Sequence, residues 1–236
     1  MLENKYQELQ HLMRDFEVQK EDISILDKHA HMLLESLLTA AYADQDHQTE
    51  YDALLEQLRK RCNCSLERFG EAVGDAGLRQ YENGAYDCAQ WIYRNALKSS
   101  SAAGIRNNLA YICRRHGTKN NNAWVEIIDL LLEGVKEQDT FSLINMALLF
   151  ALELGSESDW KTADRLIALI DREKMDRLSA YSWWKNLADQ DDSEGCLVCL
   201  WLNRHGVLHR RSNAEMLKMR DNVVRNYRKI PEWFLT

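Results

Sequence analysis

Cys196, Cys199, His205 and His209 are the residues whose types and crowding first suggest a metal centre, because thiolate and imidazole are zinc's preferred ligands. Their spacing argues the other way. The two cysteines lie three apart inside Gly195-Cys-Leu-Val-Cys-Leu-Trp-Leu, an apolar run that reads as a buried helix. Structural zinc sites usually hold such pairs on a turn, and the step to the first histidine is shorter than in the common fingers. The pair is therefore read as small buried hydrophobes, and no metal or other cofactor is expected. Cys62-Asn-Cys64 has no histidine near it. Asp189, Asp191, Asp192 and Glu194 do not follow the spacing of a calcium loop and read as a solvated hairpin turn. No phosphate-cradling glycine loop, nucleophile elbow or paired glycosidase-like carboxylates stand in a recognisable frame.

Arg204-His205-Gly206-Val207-Leu208-His209 offers a hydrolytic alternative. It resembles the Arg, polar residue, four-residue gap, His pattern of the HEPN ribonucleases, all-helical proteins that cleave RNA without metal. The resemblance implies His209 as acid or base and Arg204 as the group that stabilises phosphate charge. Gly206 interrupts the pattern, and Arg115-His116-Gly117 repeats its beginning elsewhere. A recurring Arg-His-Gly is explained as helix-end chemistry: cations favour the negative end of a helix, and glycine takes the left-handed capping conformation.

The elements that must position these groups are helices. One proline and ten glycines in 236 residues leave little to interrupt them, and no alternating apolar run enriched in β-branched residues marks a strand. Leu2, Tyr6, Leu9, Met13 and Phe16 recur at steps of three and four. So do Ile23, Leu26, Ala30, Leu33 and Leu37, then Tyr51, Leu54, Leu55 and Leu58. Residues 1–65 are read as a helical cap or a dimerisation region. Met216 to Tyr227 form a final amphipathic helix, capped by Ser212 or Asn213, and Trp233, Phe234 and Leu235 cover the last apolar face.

The formal net charge is −7, which argues against broad nucleic-acid binding. Acidic residues dominate residues 1–60 and basic ones residues 203–236. This describes either two solvated faces or head-to-tail contact between copies of the chain. The most apolar stretch, Leu143 to Leu154, is too short to span a bilayer. No secretory signal opens the chain, so the six cysteines are expected to be reduced thiols of a cytoplasmic protein.

Gly77 is followed by Gly84, Tyr86, Ala89, Tyr93, Ala96 and Leu97, and Gly84-Ala-Tyr-Asp-Cys-Ala-Gln-Trp-Ile-Tyr-Arg-Asn-Ala-Leu carries the densest pattern. A triplet then recurs as Asn108-Leu109-Ala110, Asn145-Met146-Ala147 and Asn186-Leu187-Ala188, with Gly117, Gly155 and Gly195 after it. This segment resembles the tetratricopeptide (TPR) repeat, whose unit is about 34 residues. Val73 stands where that family favours Trp and Ser101 where it favours Pro, while Trp184 matches. Later units are longer, and Ser156-Glu-Ser-Asp is a candidate insertion. The resemblance implies an all-α, right-handed α-solenoid of about four helix hairpins over residues 66–206, with residues 207–236 as a C-terminal capping helix and tail.

The resemblance also implies a concave groove that holds a protein or peptide, and so a non-catalytic scaffold or adaptor; the short apolar stretch predicts no membrane contact, and the uneven charge offers a second copy of the chain as another partner class. The family's groove places fall on Asn107, Ile144 and Lys185, then Tyr111 and Leu148, with Arg114 further along. Asn108, Asn145 and Asn186 match the asparagines that hold a bound peptide's backbone, since an amide both donates and accepts. The same three asparagines equally suit ties between neighbouring hairpins. Gly74 and Leu78 stand where the family's chaperone-tail clamp needs basic and amide groups, which argues against an acidic chaperone terminus. Ile144 and Leu148 imply an apolar ligand.

Overall fold

The computed structural model describes Gln7, Leu9 and residues 28–100, 102–171, 179–207 and 211–235. Among the described residues every regular element is helical. Leu2, Tyr6, Met13, Phe16, Ile23, Leu26, Ser101 and His209 lie outside them. No described helix is long and apolar enough to cross a membrane. The chain divides into two compact units, Met1–Thr118 and Lys119–Thr236.

The first unit holds α1 (Lys28–Ala43), a 3-10 turn (Gln45–His47), α2 (Gln48–Arg61), α3 (Leu66–Glu82), α4 (Tyr86–Ala96) and α5 (Ala103–His116). The apolar stripes face inward: Ala30, Leu33, Leu34, Leu37 and Leu38 from α1 and Tyr51, Leu54 and Leu58 from α2 are buried. Glu35 ties α1 to α3, pairing with Arg79 at 2.7 Å and accepting from the Gln80 amide at 2.9 Å.

The α3–α4 hairpin is the tightest contact in this unit, and small residues permit it. A Cβ on Gly77 would lie 3.1 Å from the Tyr93 ring, and one on Gly74 would lie 3.0 Å from Ile105 of α5. Ala89 is fully buried between the helices. Gly84 makes the turn with φ +78°, and the Ala85 N–H donates to the Gln80 carbonyl at 2.9 Å. This is the left-handed glycine closure that lets a helix end sharply.

The second unit holds α6 (Asn121–Lys136), α7 (Thr140–Leu148) running into a π-helical turn (Leu149–Leu154), α8 (Glu157–Ala168), α9 (Ser179–Asp189), α10 (Ser193–Arg204), α11 (Asn213–Asn226) and α12 (Glu232–Leu235). Helices α6, α7 and α8 pack in succession, α9 pairs with α10, and α10 also packs on α11 and α8. Aromatic residues dominate the centre. Trp160 and Trp201 stand 5.4 Å apart, and Phe234 of α12 lies 5.4 Å from each. Ser212 caps α11 in a reciprocal box with Glu215.

Ser156-Glu-Ser-Asp is the cap and first turn of α8, with a Ser156–Asp159 capping box. The additional residue before Gly155 lies in the π turn, where the Gly155 N–H reaches back five residues to the Phe150 carbonyl at 2.9 Å. A π turn is a one-residue insertion into a helix.

The three glycines after the triplets are not equivalent. Gly155 is left-handed, at φ +70°. Gly195 sits in the first turn of α10, where a Cβ would meet the Ala188 backbone nitrogen at 2.5 Å.

Gly117 is no left-handed cap, since its φ is −84° and its ψ −176°. A Cβ there would meet the Cys113 carbonyl oxygen at 2.5 Å, so close approach rather than handedness demands glycine. Gly206, at φ +69°, does take the left-handed conformation.

Candidate functional site

The end of the first unit where α3, α4 and α5 terminate or begin gathers aromatic and cationic side chains. Tyr81 closes α3, Gly84 turns the chain, and Tyr86 opens α4. The last turn of α5 supplies Arg114, Arg115 and His116, cations placed where the helix dipole is negative. Tyr86 and His116 stack with ring centres 3.6 Å apart and planes 10° from parallel. Tyr81 lies 5.5 Å from Tyr86, 5.8 Å from Tyr111 and 6.0 Å from His116.

Arg114 and Arg115 both stand over the Tyr111 ring, at 5.9 and 5.7 Å. Arg115 also donates to the Tyr111 hydroxyl, and the Tyr81 hydroxyl donates to the same oxygen at 3.4 Å. Tyr111 and Arg114 are buried, while Tyr81, Tyr86, Arg115 and His116 are half-buried. Half-buried rings and cations thus surround the buried Tyr111 and Arg114. Such a surface can stack on a ligand and donate to its carbonyl or carboxylate oxygens, the chemistry that Tyr and Arg bring to protein interfaces.

The sequence-derived groove residues divide between the units. Asn107, Asn108, Tyr111 and Arg114 belong to α5 in the first; Ile144, Asn145 and Leu148 belong to α7, and Lys185 and Asn186 to α9, in the second. Of the first set, Tyr111 and Arg114 meet. Asn107 is buried, and Asn108 donates to the Tyr93 hydroxyl at 3.1 Å, joining α5 to α4.

Ile144, Asn145 and Leu148 are buried, so their side chains offer no surface. Lys185 pairs with Asp189 at 2.6 Å, and Asn186 is exposed. The three asparagines therefore occupy three environments: one bonded between helices, one buried, one in solvent.

Tyr81, Tyr86, Arg115 and His116 were not among the sequence candidates. Their signal was local: a left-handed glycine three residues after Tyr81 and two before Tyr86 folds the two tyrosines together. The approach of His116 is a tertiary event with no spacing to announce it.

The other chemical candidates resolve differently. Arg204 Nη1 donates to the Trp233 carbonyl at 2.9 Å, and its guanidinium covers the Trp233 ring at 5.4 Å; it anchors the C-terminal segment. His205 pairs with Asp164 at 2.8 Å. The Cys196 and Cys199 thiols point at the Ala188 and Trp184 carbonyls, at 3.9 and 3.7 Å, and burial pushes both up to about 11. Among the described residues no cluster of His, Cys, Asp and Glu could hold a metal ion.

In the turn after α9, Asp192 caps α10, Asp191 pairs with Lys218 at 2.8 Å, and Asp189 pairs with Arg211 at 3.0 Å. Asp189 and Asp191 fasten α11 and the residue before its cap to the α9–α10 hairpin. No protein-family model, curated protein or solved structure matches the chain.

Proposed function

We propose that this protein is a non-catalytic scaffold that holds a protein or peptide partner on paired helices. In this reading the helices from residue 66 to 206 are four TPR-like hairpins of a right-handed solenoid, capped by residues 1–65 and 207–236. The partner meets the end of the α3–α5 layer at Tyr81, Tyr86, Arg115 and His116. That half-buried aromatic and cationic cluster is the observation that carries the reading. Stacked rings lose little freedom on binding, and a guanidinium already fixed over a ring donates at low entropic cost. Lys185 and Asn186 are a second contact region, because they reach solvent. A reducing cytoplasm suits the six free cysteines.

Affinity capture with the wild-type chain beside a Tyr86→Ala/Arg115→Ala double variant tests the assignment. The partner should be retained by the former and lost by the latter, with both chains melting alike. Equal recovery on both overturns it. Tyr111 and Arg114 are unsuitable positions for this control, since replacing buried residues would disturb the fold itself.

A further inference from the structure

In the second unit the π turn after α7 and the residues that follow α11 flank a cavity of about 280 Å³. Leu152 and Leu154 of the turn and Trp160 of α8 give it an apolar wall, and Arg228 and Lys229 line the side beyond α11. Small-molecule sites usually measure about 300–1,000 Å³, so this space suits a small organic molecule better than a bare ion. A π turn is an insertion that recurs at functional sites.

Two observations say what would fill the cavity. Trp160 is buried, and its indole N–H has no acceptor among the described residues. Buried donors are nearly always bonded, so an acceptor is wanting here. Arg228 and Lys229 are exposed, and among the described residues neither side chain has a hydrogen-bond or ion-pair partner. Their place past the negative end of α11 accounts for two cations, but not for the orphaned indole.

The rest of the polar lining is engaged. Glu153 pairs with Lys119 at 2.6 Å, which offsets its charge. The Tyr227 hydroxyl donates to Ser193 at 3.4 Å, and the Asn226 amide donates to the Asn222 carbonyl at 2.9 Å. What remains is one N–H donor and two cations beside an apolar wall.

We propose that this cavity binds a small apolar carboxylate. Its tail lies against Leu152, Leu154 and the Trp160 ring. One carboxylate oxygen accepts from the Trp160 N–H, which the core holds in place, and the long side chains of Arg228 and Lys229 close on the charge. The apolar wall and the uncharged indole donor select a carboxylate with a tail over inorganic phosphate. This site is independent of the partner surface proposed on the first unit.

Titration of the full chain with phenylacetate, followed by NMR at the indole N–H signals, tests the assignment. The Trp160 signal, assigned through its own backbone resonances, should move and saturate in the millimolar range. Phenylacetamide has nearly the same shape without the charge and should bind about tenfold more weakly. An Arg228→Ala/Lys229→Ala variant should lose a similar factor with its thermal melt unchanged, since both side chains are exposed. A Trp160 signal that does not respond to phenylacetate overturns the proposal. So does a double variant that binds as tightly as wild type. Inorganic phosphate that moves the Trp160 signal at the same concentrations overturns the carboxylate assignment.

Discussion

The α3–α4 contact of the first unit and the aromatic centre of the second solve the same packing problem with opposite means. The first brings helices together by deleting side chains: Gly74 and Gly77 on α3 and Ala89 on α4 admit Tyr93 and Ile105 into the space they leave. The second fills its space with large rings, Trp160, Trp201 and Phe234, drawn from α8, α10 and α12. A contact made of small residues fails by overfilling, and one made of large rings fails by emptying. Substitutions of opposite sense should therefore injure the two units.

The largest effect is expected at Trp201. Its side chain is fully buried, and Nε1 donates to Asp164 at 2.9 Å. Trp201→Ala should cost about 3–5 kcal/mol, the usual range for emptying a buried aromatic site. Hydrogen exchange read by fragment should show lost protection in residues 119–236 and unchanged protection in residues 28–100. Loss of both together would show that the units do not unfold separately, and the contrast between them would fall.

Next is the C-terminal segment. Phe234 is buried against two tryptophans, and Arg204 holds the backbone that carries it. Deleting residues 230–236 should lower the melting temperature and expose the Trp160–Trp201 face to aggregation, because burial of a ring this size contributes about 1.5–3 kcal/mol. An unchanged melt would detach this segment from the core. The opposite insult, Ala89→Trp in the first unit, should cost about 1–3 kcal/mol. A melting curve identical to wild type would mean that the α3–α4 contact is looser than its fully buried Ala89 implies.

That pair of outcomes tracks what was legible in the sequence. Steps of three and four marked the helices because burial of a helical face is periodic. Gly77, Gly84, Ala89 and Tyr93 marked the α3–α4 hairpin because its contacts are local. The aromatic centre of the second unit was half visible: Trp233 to Leu235 read as a cover, but Trp160 as their neighbour did not, since no spacing links residue 160 to residue 234. Matching glycines by their distance from a triplet failed because glycine answers three separate needs at 117, 155 and 195. Ile144 and Leu148 show the same limit. Position in a repeat says which helix a side chain belongs to, whereas exposure depends on what packs beside it, and that buried Ile144 and Leu148.

The smallest expected effect is a pH dependence that separates the two units by their carboxylates. In the second, the Lys185 ammonium, and after it Arg211, holds Asp189 below its ordinary range; the Ser212 hydroxyl and backbone N–H do the same for Glu215. In the first, the Arg59 guanidinium lowers Glu56 to about 2. A carboxylate whose value is lower folded than unfolded contributes stability that is complete above the unfolded value, about 3.9 for Asp and 4.3 for Glu, and is lost as pH falls through the folded one. Acidification below about pH 4 should therefore erode these ties, never strengthen them. All three groups face solvent, so screening keeps each contribution small. Carboxyl carbon shifts followed by NMR would check the order: Glu56 should be the last glutamate to protonate, and Arg59→Ala should raise it toward the usual range, with Lys60 still holding it low. A Glu56 that titrates normally in the wild type would dissolve the Arg59 contact. An Asp189 unmoved by Arg211→Ala would leave Lys185 as the group that sets it, and would loosen the link between α9 and the start of α11.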